Sequence, residues 1–370
     1  MQLRLFSDTK YRLDRVGHVP ILFPFWGRGQ VGDPSHDIFA TYLEIGPSLF
    51  QMTSLEEADL AILPSDWKWY RRHGQEQLAF EFVSLANRAG KPVVVFLYGD
   101  VDEPLPFDAY IFRSSLYRSE RRVHEYALPS WPSDIVSENL NGNLVIRSKQ
   151  SKPTVGFCGK AKWDRQRRLR YFARLGAELI GVKEKKYLLR GHHLNLRVSV
   201  LRRLSKCADI NTNFVLRTRY WGGSYSSQSD SWNLDLKEQV RKEFVDNMVE
   251  SDYIVCVRGE GNYSVRFYET LMCGRIPLFI DTDCVLPYDF VIDWKKYCVW
   301  VDYKERSTVA RQLIAFHEAL SDDEFIELQR QERTLWEQWL SPHGFFSNFH
   351  RHFEEFGKQE GAALNDYTPT

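Results

Sequence analysis

Residues 253–281, YIVCVRGEGNYSVRFYETLMCGRIPLFID, read as strand, loop, helix and strand in immediate succession. YIVCV is a short β-branched run of buried-strand type, and RGEGNY supplies the glycines of a tight turn. Ser264 stands where a helix N-cap belongs, VRFYETLMC carries the helix, and Gly274 stops it before IPLFI (276–280) resumes strand character. A strand, crossover helix and second strand make a parallel pair, and repeated pairs make an open α/β sheet with helices on both faces.

The loop carries chemistry as well as a turn. Glycines before a helix let backbone N–H groups converge on an anion at the helix N-terminus. Arg258 ahead of the glycines and Arg266 in the first turn add two cations, which suits the diphosphate of a departing nucleotide. Glu269, three residues beyond Arg266, is within reach of two ribose hydroxyls. A dinucleotide fingerprint would need a third glycine where Ser264 stands, although Asp281 ends the next strand where a ribose-binding acid belongs. The plain alternative is an i,i+3 ion pair between Arg266 and Glu269, with glycines that only turn the chain.

Outward from this stretch, apolar runs and helix-period segments alternate. VPILFPF (19–25), ADLAILP (58–64), PVVVFLY (92–98) and AYIF (109–112) read as strands. Between them GQEQLAFEFVSLANRAG places Leu78, Phe82, Leu85 and Ala89 on one helical face. Residues 137–152 lose the pattern and read as a linker, so a domain boundary is expected near 150. The alternation restarts with PTVGFCG (153–159), an arginine-rich helix at 165–174, a helix around 194–207, a strand at NFVLRT and a helix near 235–250. Two βα arrays predict two Rossmann-like domains, 1–150 and 151–335, followed by an aromatic helical segment, 336–370, that packs back across the domains. Ligands of such sheets bind beyond the carboxyl ends of the strands.

Composition narrows the function. The 370 residues hold 49 basic and 49 acidic side chains, so no net field draws nucleic acid or an anionic membrane. No run has the apolar length of a signal peptide or a spanning helix, which predicts a soluble, cytoplasmic protein. The six cysteines form no C-x-x-C pair, and several lie inside apolar strands, which predicts reduced core residues rather than a metal site.

From Asp252 to Asp302 the chain resembles the exostosin-like glycosyltransferases, glycosyltransferase family 47. The likeness rests on the ordered series of an R-G loop, a serine-arginine pair opening a helix, F-Y-E, a glycine, I-P, L-P and V-I-D-W. Weaker likeness extends to ADLAILPSDW and VGFCGK. The resemblance implies a GT-B fold, two Rossmann-like domains facing a cleft, and metal-independent, inverting transfer from a nucleotide sugar, commonly a UDP-sugar. Carried over by position, Arg258, Ser264 and Arg266 hold the diphosphate and base side, and Glu269 the ribose. Family members in eukaryotes are usually membrane-anchored; this chain shows no anchor and looks more like a bacterial or viral relative.

Several other residues are candidates. A general base for the acceptor hydroxyl is expected on a loop of the first domain: Asp66 first, with His36, Asp37 and Asp100 as alternatives, each of which could equally be a turn or capping residue. Asp281-Thr282-Asp283 has the spacing of a metal clamp but reads better as a turn, and His192-His193 lack a third ligand. Lys160 extends the phosphate site, and Gly259, Gly261 and Asn262 complete the donor loop. The expected protein is an inverting glycosyltransferase with no cofactor. It serves a glycan or lipid-linked glycan acceptor in surface-polysaccharide synthesis, in the cytoplasm or at the periphery of the inner membrane. A nicotinamide-dependent oxidoreductase using the 259–264 loop and Asp281, and a non-catalytic nucleotide or glycan binder, are the alternatives.

Overall fold

The computed structural model of the chain describes residues 2–14, 16–28, 38–161, 193–226 and 231–353. Two compact units result: unit 1 comprises residues 1–114, 121–133 and 335–370, and unit 2 comprises 115–120 and 134–334. No described helix is long and apolar enough to cross a membrane.

Unit 1 is built on a parallel sheet of β1 (Leu3–Phe6), β2 (Phe50–Met52), β3 (Leu60–Ile62), β4 (Val93–Leu97), β5 (Tyr110–Arg113) and β6 (Glu125–Ala127), in the order β2-β1-β3-β4-β5-β6. The expected strands at 58–64, 92–98 and 109–112 are β3, β4 and β5. VPILFPF is not a strand: Pro20–Leu22 is a 3₁₀ turn that runs into helix α1 (Phe23–Trp26). Pro20 and Pro24 lack the N–H groups a central strand needs but suit first helical turns, and an apolar run this short does not separate buried helix from strand. The first strand is instead LRLF, whose pattern is too short to stand out.

Helix α2 (Ala40–Leu49), α3 (Trp67–Arg72) and α4 (Glu76–Arg88) follow β1, β3 and α3 respectively. On α4 Ala79, Phe82, Val83 and Ala86 are buried and Leu78 and Leu85 pack against the same core, as the expected stripe has it; only Ala89 departs from it, being exposed. The core of this unit is completed by its last residues. The π-helical turn Trp336–Leu340 leads into α11 (Pro342–Ser347), and Phe345, Phe346 and Phe349 are fully buried. Phe349 lies 4.8 Å from Phe112, Phe346 stacks on Tyr42 at 4.3 Å, and the Trp131 indole donates to the Leu340 carbonyl at 2.8 Å.

Unit 2 repeats the same winding. Its sheet, β7 (Thr154–Lys160), β8 (Asn211–Arg217), β11 (Tyr253–Cys256), β12 (Ile276–Asp281) and β13 (Val299–Asp302), is parallel throughout and ordered β13-β12-β11-β7-β8. A two-stranded ribbon of β9 (Tyr225–Ser226) and β10 (Ser231–Trp232) stands apart from it. Helices α5 (Ile135–Asn139), α6 (His193–Leu204), α7 (Leu234–Val249), α8 (Val265–Met272), α9 (Val309–Ala319) and α10 (Asp322–Leu335) accompany it. The arginine-rich segment at 165–174 lies outside the described residues.

The segment at 137–152 is not a free linker but part of unit 2. Arg147 Nε donates to Asp252 at 2.6 Å, Gln329 brackets the Arg147 backbone with bonds of 2.9 and 2.8 Å, and buried Arg275 donates to the Val145 carbonyl. Asp134, where the unit resumes, forms a two-pronged pair with Arg333 at 2.8 and 2.9 Å. Gly274 ends α8 with φ of +62°, and a Cβ there would come within 2.7 Å of the Gln329 carbonyl oxygen, so only glycine fits.

Glu332 on α10 is wholly buried, and neither carboxylate oxygen has a hydrogen-bond partner. Desolvation pushes its carboxyl well above the usual range. The unfolded chain therefore ionises at lower pH than the folded one, and stability from this group falls as pH rises above the ordinary carboxylate pKa, by about 1.4 kcal/mol per pH unit until the folded group also ionises. Glu332→Gln is expected to match wild type in melting temperature near pH 4 and to exceed it at pH 8; a pH series of melts measures the difference.

Candidate functional site

In each sheet the first crossover runs one way and the next runs the other, so the order reverses between the first and third strands. Open α/β sheets bind ligands outside the carboxyl ends of strands at that reversal. In unit 2 it falls between β7 and β11, where the chain leaves as Gly159-Lys160 and as Val257-Arg258-Gly259. The 258–264 loop and α8 rise from this point.

Arg266, half-buried in the first turn of α8, does not pair with Glu269. Its guanidinium turns to the end of β7: Nη2 donates to the Cys158 carbonyl at 2.6 Å, and the group lies 4.5 Å from the Phe157 ring and 5.9 Å from that of Phe244. Its Nε is buried and bonds to no other group. A Cβ on Gly159 would come within 2.9 Å of Nη2, so the glycine leaves room for the arginine.

Glu269, one turn along α8, is half-buried and accepts no hydrogen bond from the described residues. Burial raises its carboxyl above the usual range, opposed by Arg266 and Arg241. Ser264 occupies the N-cap position with extended backbone, but its hydroxyl makes no capping bond. The helix therefore begins with its amides uncovered by the cap side chain.

Other predicted residues are occupied by the protein itself. Arg258 is 3% exposed; Nη1 donates to the Tyr117 hydroxyl at 2.8 Å and Nη2 to the Glu260 carbonyl at 2.7 Å. Asn262 is 0% exposed, with Nδ2 donating to the Leu116 and Asp283 carbonyls at 3.1 Å each and Oδ1 accepting from Thr282 at 2.6 Å. Gly259 donates its N–H to the Tyr263 carbonyl at 3.0 Å, and Gly261 is buried. These residues fix the loop's shape. Lys160 ends β7, half-buried, and its carbonyl accepts from Arg197 at 3.1 Å.

The 281–283 stretch is a turn. Asp281 is 5% exposed, accepting from the Cys284 N–H at 2.9 Å and from Arg118 at 3.2 Å. Asp283, with φ of +65°, binds the Ser119 N–H at 3.1 Å and the Ser119 hydroxyl. Asp281 is thus turned into the protein rather than towards a ribose on the 259–264 loop, which removes the acid that the dinucleotide alternative requires.

In unit 1, Asp66 is buried as the N-cap of α3. It accepts from the N–H groups of Lys68 at 2.9 Å and Tyr98 at 3.1 Å, and the Lys68 ammonium lies 3.3 Å away. Burial raises its carboxyl, against the pull of Lys68. Its surroundings favour the capping role over that of an exposed base. Asp100 lies exposed past the end of β4. His36, Asp37 and His192 lie outside the described residues.

Arg197 on α6, which sequence reasoning missed, donates to the carbonyls of Lys160, Val257 and Arg258 at 3.1, 3.3 and 3.0 Å. Its signal was hidden because it lies in an amphipathic helix with several other arginines.

Residues 195–314 match the model of the Exostosin GT47 domain. Exostosin-1 of Drosophila melanogaster is 27% identical over 113 residues, which is 30% of this chain and 14% of that protein. The Exostosin-1 homolog of Caenorhabditis elegans is 26% identical over 113 residues, 30% of this chain and 28% of its own length. Exostosin-1a of Danio rerio is 25% identical over 128 residues, 34% of this chain and 17% of its own. The match thus spans 14 to 28% of the length of these relatives. Among solved structures, a mutant of S. aureus TarM in complex with fondaparinux, alpha-GlcNAc-glycerol and UDP overlays 73% of this chain and 53% of its own, at 10% identity and a TM-score of 0.33. So slight a likeness bears on neither fold nor ligand.

The two arginines of the loop separate in their expected effects. Arg258→Ala removes the bonds that the buried guanidinium gives to the Tyr117 hydroxyl and the Glu260 carbonyl and is expected to cost about 2–3 kcal/mol. Arg266→Ala, which gives up one carbonyl bond beside an unpaired Nε, is expected to cost less than half of that. Urea denaturation of both variants measures the difference.

Proposed function

We propose, from the match of residues 195–314 to the Exostosin GT47 domain model, that this chain transfers a sugar from a nucleoside-diphosphate sugar, a UDP-sugar in the first instance, to a hydroxyl of a glycan or lipid-linked glycan. The transfer inverts the anomeric centre and uses no bound metal. In this reading the two α/β units are the halves of a GT-B enzyme, working in polysaccharide or surface-glycan synthesis on the cytoplasmic side of a membrane.

The observation that carries the reading is the separation of Arg266 from Glu269. An ordinary surface pair at i,i+3 would join the two directly, whereas here the cation turns to the end of β7 and the carboxylate, within the fields of Arg266 and Arg241, accepts no hydrogen bond from the described residues. Both stand on α8 at the strand-order reversal of unit 2. The donor diphosphate would lie on the N-terminal amides of α8, with the Ser264 hydroxyl, the Arg266 guanidinium and Lys160 meeting the negative charge that grows as the glycosidic bond breaks. Glu269 would accept from the ribose hydroxyls. Arg258 and Asn262 act indirectly, by holding the loop in the shape that aims its amides.

A thermal-shift titration in EDTA with UDP, GDP, UDP-sugars and NAD tests this, since binding to the native state alone raises the melting temperature. A nucleoside diphosphate is expected to stabilise wild type but neither Arg266→Ala nor Glu269→Ala. A shift from NAD alone, or an undiminished nucleotide shift in both variants, would overturn the reading. pH gives a second check: an ionised Glu269 is needed for ribose, and its carboxyl is raised above 4.5. Nucleotide affinity should therefore fall with decreasing pH before ordinary carboxylates titrate, and that early fall should be absent in Glu269→Gln.

A further inference from the structure

Beyond the carboxyl end of β8, unit 2 carries the small ribbon of β9 and β10, which takes no part in the main sheet. Its two aromatic side chains, Tyr225 and Trp232, stand directly opposite each other in the antiparallel register. Their ring centroids are 5.1 Å apart and the planes are tilted by 49°, so the two faces do not close on each other. Both rings are accessible: Tyr225 is 38% exposed and Trp232 41%, and Leu234, two residues on, is 71% exposed. The Lys237 ammonium lies 5.3 Å from the indole centroid and sets a hydrogen-bond donor beside the rings. A cross-strand aromatic pair steadies a ribbon this short, but rings turned against the body of the unit would do that as well. Scattered exposed apolar side chains are ordinary; two large rings in contact, with a cation over one of them, form a patch of the kind that binds.

The position of the ribbon ties it to the candidate donor site. β8 runs beside β7 with Arg217 level with Lys160, so the chain reaches the ribbon on the side of the sheet where ligands bind. Helix α7, which returns the chain to β11, starts on that same side, and Arg217 fastens strand to helix through the Val240 carbonyl at 3.2 Å and the Glu243 carboxylate at 2.8 Å. Lys237 and Phe244 are two turns apart on α7, hence on one face and about 10 Å from each other along the axis. Phe244 is the ring that lies 5.9 Å from the Arg266 guanidinium. The face of α7 that meets Arg266 thus leads to the ribbon.

We propose that Tyr225 and Trp232 form a carbohydrate platform, an acceptor subsite beside the candidate donor site of unit 2; as an acceptor subsite it rests on the glycosyltransferase reading above. A sugar ring has an apolar C–H face edged by hydroxyls. A planar aromatic face covers the first without asking for a hydrogen bond, and the Lys237 ammonium donates to the second. Two rings and a leucine are too little apolar surface for a stable protein interface, which buries about 800 Å² on each partner, but they match a sugar in size.

Three oligosaccharides test the assignment: cellohexaose, chitohexaose and a hyaluronan hexasaccharide, each titrated against the full chain labelled with fluorotryptophan. Trp232→Tyr, which keeps a ring, identifies the Trp232 fluorine resonance among those of the 11 tryptophans. At least one oligosaccharide is expected to move that resonance. Trp232→Ala and Tyr225→Ala should each weaken its binding roughly 3- to 10-fold, Trp232→Tyr should retain most of the affinity, and the UDP-induced thermal shift should stay as in wild type. No movement with any of the three, or an affinity unchanged in both alanine variants, would overturn the platform while leaving the donor reading intact. A wild-type dimer in sedimentation that Trp232→Ala dissolves would also overturn it, by assigning the rings to a second copy of the chain. Oligosaccharide binding through the rings in a wild type that no nucleoside diphosphate stabilises would support the carbohydrate site and remove its acceptor role together with the donor reading. Should either alanine variant fail to fold, the wild-type titration and Trp232→Tyr decide between these outcomes.

Discussion

The site in unit 2 depends on how the ends of β7 and β11 dispose of their carbonyl groups. Strands that stop side by side at a sheet's reversal point leave acceptors that no further ladder can satisfy, and burial makes such orphans costly. Arg197 resolves this with one guanidinium shared among the carbonyls of Lys160, Val257 and Arg258. Arg266 takes the neighbouring Cys158 carbonyl from the other side. With the strand ends fixed, the 258–264 loop has a defined base, and the inward bonds of Arg258 and Asn262 hold its arch. The start of α8 then points where the sheet's own geometry places ligands.

Much of this was legible in the sequence, and what was not has physical reasons. β3, β4, β5, β7, β11 and β12 announce themselves because strands buried on both faces read as continuous apolar runs, and α8 because a serine opens it and a glycine closes it. VPILFPF obeys the same rule and is helical, since its prolines cannot enter a ladder. LRLF is the first strand of the sheet although its four-residue length, interrupted by Arg4, disguises it. In the site, residue type and spacing named Arg266, Glu269 and Ser264 as candidates, but the direction in which a guanidinium turns is a property of packing. Arg258 therefore looked like a ligand and serves as a fastening, and Asp66 looked like a base and is buried as a cap.

The two units carry the same strand-order logic, with a reversal between first and third strands, yet they use it with different chemistry. Unit 2 places Arg266 and the start of α8 at its reversal. Unit 1 places His18 among the rings of Phe23 and Trp26. A shared topology thus leaves the character of each reversal to its side chains.

The return of residues 335–353 to unit 1 sets an order on assembly. The aromatic faces of Phe112, Tyr42 and Trp131 are covered by Phe349, Phe346 and Phe345, which lie more than two hundred residues downstream. During synthesis the first sheet emerges early and must wait for the whole of unit 2 before its hydrophobic side is closed. A ribosome-bound chain lacking its last few dozen residues is therefore a partly exposed core, in need of a chaperone's cover, however complete its second unit has become.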